Sequence, residues 1–153
     1  MLEGLQALGD AHGLPVLLST HPRTRKRVED LDRAYPRINF HKPFGFHDYL
    51  ALQVGARLVL SDSGTIAEEA SLLDFKAVTL RDAIERPEAE DTGSIVLAGV
   101  TGRSIELAAN YVLSTDAVTA PPSDYAIDTT SHRVLSAILS LVPTHASRTG
   151  IRA

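Results

Sequence analysis

Five short apolar runs alternate with segments of helical spacing, and that order predicts an α/β fold built on a doubly wound parallel sheet. Two features of the runs point the same way. They are apolar throughout rather than alternating, as strands covered on both faces require. The stretches between them are long enough for helical crossovers, and such crossovers are right-handed.

The N-terminal segment MLEGLQALGDAHG carries Leu2, Leu5, Leu8 and Ala11 near helical spacing, with Gly13 as its stop. It lacks the basic region and long apolar stretch of a signal peptide. The first strand is LPVLLST (14–20), bounded by Gly13 and the polar HPRTRKR. RINFHKP (37–43) is a weaker strand candidate, and RLVLSD (57–62) is a strong one. KAVTLRD (76–82) and SIVLAG (94–99) complete the set. Helices are expected at about 24–34, 46–56, 65–74 and 102–115. The polar stretch 114–132, with Pro121-Pro122, reads as a long connection. Beyond it Val134, Leu135, Ile138, Leu139 and Val142 recur at helical spacing, so a closing helix is expected over 131–142. A single domain over 1–142 follows, with 143–153 as a flexible tail.

Composition narrows the function. The chain has 153 residues, enough for one domain with its own core. A net charge of -4 provides no basic excess to neutralise phosphates, which argues against nucleic acid as partner. No apolar run approaches the roughly 20 residues needed to span a bilayer. The absence of cysteine excludes disulfides and thiolate metal sites, and it fits a cytoplasmic protein.

In doubly wound sheets ligands bind beyond the carboxyl ends of the strands, and the notable polar residues fall there repeatedly. Ser63 and Gly64 follow the third run, at the start of a helix. The first-turn N–H groups of a helix have no internal partners and sit at the positive end of its dipole. A phosphate can gather them, with the Ser63 hydroxyl as a further donor and Gly64 offering no side chain in the way. The same pattern also suits plain capping, since Thr65-x-x-Glu68 matches a capping box. Glu69, one turn in, can accept from a sugar diol or simply face solvent. His21 ends the first strand and can donate to a diphosphate, whereas Arg23, Arg25, Lys26 and Arg27 read as a solvated helix face. Arg86 precedes Pro87, which holds its backbone extended, and a guanidinium so placed suits an anion or a surface ion pair. Tyr49, beside Phe44 and Phe46, can stack on a base or join the core. A serine hydrolase using Ser63 is disfavoured, because the chain has no G-x-S-x-G elbow.

Four stretches together, THPRTRKR, FGFHDYLAL, LSDSGTIAEEASLL and LRDAIERPEAEDTG, resemble the non-hydrolysing UDP-N-acetylglucosamine 2-epimerases in content, order and gaps. The resemblance covers roughly residues 14–142. It implies a Rossmann-like domain, the C-terminal half of a two-domain glycosyltransferase-B-type fold. It further implies that this half grips UDP or a UDP-N-acetylhexosamine. His21 and Arg86 match diphosphate ligands, and Ser63 and Gly64 match the phosphate turn. Glu69 matches the ribose ligand, and Tyr49 takes the position packed on uracil. The implied reaction inverts C2 of the sugar by elimination and re-addition of UDP, without metal or redox cofactor. Within the family, FGFHDY, SDSGTIAEE and SDYAIDTTSHRV resemble the branch that makes UDP-N-acetyl-L-fucosamine. The family's acid/base carboxylates belong to an N-terminal domain with no counterpart in these residues, so the catalytic residues are not identifiable here. A homo-oligomer or a partner chain supplying that domain is therefore expected, with little or no turnover by this chain alone. The alternative is a non-catalytic nucleotide-sugar binding module or a glycosyltransferase half.

Overall fold

The computed structural model describes residues 1–30, 33–83, 88–115 and 121–150. Two compact units are present, Met1–Pro122 and Ser123–Ala153.

The first unit follows the predicted alternation. Helix α1 (Leu2–His12) leads into β1 (Val16–Ser19), α2 (Pro22–Glu29) and β2 (Ile38–His41). Then come α3 (Phe46–Gly55), β3 (Val59–Ser61), α4 (Ile66–Leu73) and β4 (Ala77–Thr79). A single turn α5 (Glu88–Asp91), strand β5 (Val96–Leu97) and α6 (Gly102–Ser114) complete it. All pairings are parallel: β1 with β2, and β4 between β3 and β5. The sequence implies one set of five strands, whereas the ladders fall into a group of two and a group of three. The strands are also shorter than the apolar runs, because ladder pairing stops where the chain turns toward the loops. The charged segment after β4, where the sequence predicts no helix, contains the turn α5.

Strand β4 is buried along its whole length, as a central parallel strand must be. One of its faces presents Val78, in register with Leu60 and Val96. That row packs with Leu8 of α1 and Ile105, Ala108 and Ala109 of α6. Side chains alternate along a strand, so Ala77 and Thr79 point the other way, toward the face covered by α4 with Ile66, Ala67 and Ala70. Helices therefore cover both faces of β4. The contact between α1 and α6 is backbone-close. A Cβ built on Gly4 would lie 2.8 Å from the Gly102 Cα, so glycine is required there by packing rather than by helix propensity. Gly13 ends α1 in the left-handed conformation with φ of 65°, as the sequence predicts for its stop.

The second unit carries α7 (Thr130–Leu141), a 3-10 turn (Val142–Thr144) and α8 (His145–Thr149). The closing helix is thus present one residue earlier than expected, and the stretch read as tail holds two further helical turns. Every residue of α7 is exposed, including its apolar side chains Val134, Leu135, Ile138 and Leu139.

Candidate nucleotide-binding site

Polar burial is concentrated at one kind of place. Among the described residues the buried polar side chains are Thr20, Gln53, Ser61 and Thr79. Thr20 directly follows β1, Ser61 ends β3 and Thr79 ends β4. Burying a hydroxyl costs free energy unless it is hydrogen-bonded, and here Thr20 donates to the His41 carbonyl while Ser61 accepts from the Ser63 N–H.

The turn after β3 is organised by side chains. The Ser61 Oγ accepts from the Ser63 N–H at 3.1 Å, and the Ser63 Oγ accepts from the Thr65 N–H at 3.3 Å. The Thr65 Oγ1 donates to Glu69 Oε1 at 2.7 Å, and the Gln53 Nε2 of α3 donates to Glu69 Oε2 at 2.8 Å. The Ser63 and Thr65 hydroxyls lie 3.0 Å apart. Thr65 has one proton, and an ionised carboxylate can only accept, so that proton goes to Glu69. Ser63 must then be the donor to Thr65. A directed chain runs from Ser63 through Thr65 to Glu69, and Gln53 closes it from the other side. Thr65 is the N-cap residue of α4 but makes no side-chain cap bond to the helix. The capping-box pairing suggested by Thr65 and Glu68 is therefore replaced by a threonine bond to Glu69.

Tyr49 is half-buried on α3, near Ser61. Burial pushes its hydroxyl above the ordinary tyrosine range; the Ser61 side chain works against this, and the Glu69 and Asp62 charges add to it. Tyr49 therefore remains a neutral phenol, able to donate, through the physiological range. Gly64 is exposed, and a Cβ built on it would sit 3.6 Å from a terminal nitrogen of Arg81. Arg81 follows β4 and is half-buried. It places a guanidinium beside the turn, and sequence reasoning missed it. Its only signal was position, two residues past the end of a buried strand, within a stretch read chiefly for Arg86. Gln53 was missed as well, because a glutamine within an apolar helical segment carries no motif.

Of the residues singled out from sequence, direct hydrogen bonds thus connect Ser63 and Glu69 through Thr65, with Gly64 in the same turn and Tyr49 near Ser61. His21 stands immediately before α2, where its carbonyl accepts from the Thr24 and Arg25 N–H groups, and its side chain is exposed. Arg86 lies outside the described residues. The aromatic neighbours separate: Phe44 stacks on His41 with ring centroids 4.1 Å apart, while Phe46 is exposed. No group of three His, Asp or Glu among the described residues could hold a metal ion. No described helix is long and apolar enough to cross a membrane.

The arrangement offers backbone N–H groups at a helix start, an adjacent guanidinium and a fixed carboxylate. Such a set can take an anion on one side and hydroxyl donors on the other. Residues 1–139 match the family model described as UDP-N-acetylglucosamine 2-epimerase. The chain belongs to that family, which is a family of isomerases. A UDP-N-acetylglucosamine 2-epimerase of Methanocaldococcus jannaschii is 34% identical over 104 residues, covering 65% of this chain and 28% of the relative. A second, from Methanococcus maripaludis, is 37% identical over 89 residues and is covered for 24% of its length. The chain thus spans about a quarter of the length of these curated relatives. Among solved structures, the Rickettsia bellii UDP-N-acetylglucosamine 2-epimerase superposes with a TM-score of 0.86 at 36% identity, covering 97% of this chain and 42% of that one. The M. jannaschii enzyme, solved in complex with UDP-GlcNAc and UDP, superposes at 0.79 with 27% identity, over 91% of this chain and 39% of that one. The epimerase-family fold is accordingly the Rossmann-like α/β half of a glycosyltransferase-B-type architecture.

Proposed function

We propose that the chain is the UDP-holding domain of a UDP-N-acetylhexosamine 2-epimerase. The diphosphate rests on the turn Ser63-Gly64 at the start of α4, with Arg81, His21 and Arg86 supplying cationic or donor groups. Glu69 takes the ribose hydroxyls, and Tyr49 packs on uracil. The observation that carries this reading is the single bonded set joining the phosphate turn to Glu69, with the Arg81 guanidinium beside Gly64. A relative solved with UDP-GlcNAc and UDP supports the ligand class.

The reaction of such an epimerase is inversion at C2 by elimination and re-addition of UDP. Moving the C2 proton requires positioned acid and base groups within hydrogen-bond reach of it. No residue of the described site suits that role, because Glu69 already accepts from two donors and sits with the nucleotide. We place the acid/base carboxylates on a second domain outside these 153 residues. The exposed apolar side chains of α7 fit a helix that braces such a domain or a second copy of the chain.

Calorimetric titration of the chain with UDP, followed by a turnover assay on UDP-N-acetylglucosamine, tests the reading. Binding of UDP without epimerisation is expected. Absence of UDP binding at millimolar ligand would overturn the site assignment, and robust epimerisation would overturn the division of labour.

A further inference from the structure

Gln53, on α3, is buried to 3% exposure. Its Nε2 reaches Glu69 Oε2 at 2.8 Å. Among the described residues its Oε1 is buried without any donor. Turning the amide over would set Oε1 against the carboxylate, so the observed orientation is the one that charge permits. Leaving a buried acceptor unsatisfied costs stability, and an apolar side chain of the same shape would avoid that cost. A glutamine here is therefore a poor choice for the fold alone.

We infer that Gln53 is a positioning residue for nucleoside recognition: it fixes the Glu69 carboxylate for the ribose hydroxyls, at the expense of stability. The inference rests on the proposed role of Glu69. A carboxylate oxygen can accept two hydrogen bonds. Thr65 occupies one site on Oε1 and Gln53 one on Oε2, which leaves one on each oxygen. Two vicinal hydroxyls need such a pair, one acceptor site per oxygen at fixed separation. Without Gln53 the carboxylate keeps only the Thr65 bond and can swing about it, so the pair of sites is no longer held for a diol.

The test compares Gln53→Met with the unaltered chain, using UDP and 2′-deoxy-UDP as ligands and a thermal melt as control. Methionine keeps the length and removes the amide. The variant should melt at the same temperature or higher, bind UDP roughly tenfold more weakly, and bind 2′-deoxy-UDP within about twofold of the unaltered chain. The preference for the ribo form would thus collapse. An unchanged UDP to 2′-deoxy-UDP ratio overturns the inference, whether both affinities hold or both fall together with the melting temperature. A second measurement needs no variant: the Gln53 side-chain amide resonances of the unaltered chain should shift on adding UDP and shift less with 2′-deoxy-UDP. Equal or absent shifts count against Gln53. A chain that binds no UDP at all is a different result, and refutes the role of Glu69 together with what depends on it.

Discussion

Gly64→Ala separates space needed by the fold from space needed by a ligand. The Cβ added at this position would meet a terminal nitrogen of Arg81 at 3.6 Å, ordinary van der Waals contact with the far end of a flexible side chain. Gly64 is also not among the glycines with positive φ, so alanine imposes no backbone strain. The substitution removes freedom from the unfolded chain, which at a compatible site stabilises by about 0.4–1 kcal/mol. The melting temperature should therefore hold or rise by a few degrees. A phosphate that approaches the turn backbone would meet the new methyl, and moving it outward by even a few tenths of an ångström lengthens every N–H contact to it. Loss of one charge-assisted hydrogen bond is worth roughly 1.5–3 kcal/mol, which predicts UDP affinity reduced by about tenfold to a hundredfold. Differential scanning fluorimetry and calorimetric UDP titration on the same preparation read both quantities. Unaltered UDP affinity would refute phosphate approach at Gly64. A fall of several degrees in melting temperature would refute the reading of open space.

Gly4→Ala is expected to behave oppositely: the new Cβ would stand 2.8 Å from the Gly102 Cα, so α1 and α6 must move apart, costing about 1–3 kcal/mol in a denaturant melt with the slope unchanged. Ile105→Ala removes a fully buried side chain from the cluster between α6 and β4, and should cost about 2–5 kcal/mol by the same measurement. Tyr49 has its folded-state pKa raised, chiefly by burial, so its contribution to stability is complete below pH 10 and is lost as pH climbs through the raised value. Alkaline melts should show that loss, and Tyr49→Phe should remove this part of it. Finally, the exposed apolar face of α7 predicts self-association, readable as a concentration-dependent mass in light scattering; Leu135→Glu with Leu139→Glu should abolish it, and a monomer at high concentration in the unaltered chain would count against it.

The elements most legible in the sequence were those where one physical demand dominates. Strands β3 and β4 had to be apolar on both faces, and the residues Val59, Leu60, Ala77 and Val78 say so without help from context. Gly13 was legible because a left-handed stop admits few other residues. The turn after β3 was legible as a strand-to-helix turn, since Ser, Gly and Thr between an apolar run and a helix suit one. Its wiring was not. Thr65 bonds Glu69 rather than the helix N–H groups, and the same carboxylate is bonded by Gln53, sixteen residues before Glu69 and on another helix. Spacing rules describe neighbours on one helix, and no spacing links α3 to α4. Arg81 stayed hidden for a similar reason: only the parallel pairing of β3 with β4 brings its guanidinium beside Gly64. Where the ladders end was equally unreadable, because apolarity continues past Leu97 into Ala98, which joins the core cluster beyond the end of β5.

The directed chain from Ser63 to Glu69 ties the two ends of the proposed site together. The Ser63 hydroxyl proton is committed to Thr65, and the Thr65 proton to Glu69. A phosphate oxygen that draws the Ser63 proton toward itself removes the donor from Thr65 but leaves the Thr65 bond to Glu69 intact. Thr65 Oγ1 then has acceptor capacity to spare while its proton remains on the carboxylate. Under the proposed assignment Glu69 would therefore keep both of its donors when phosphate binds, and the ribose end would not loosen when the diphosphate end engages. The opposite wiring, with Glu69 bonded directly to Ser63, would have made the two ends compete for one proton. Under the proposed assignment, the threonine between the serine and the carboxylate would let a single short turn hold an anion and a diol acceptor within one helical turn of each other, although anion and carboxylate repel.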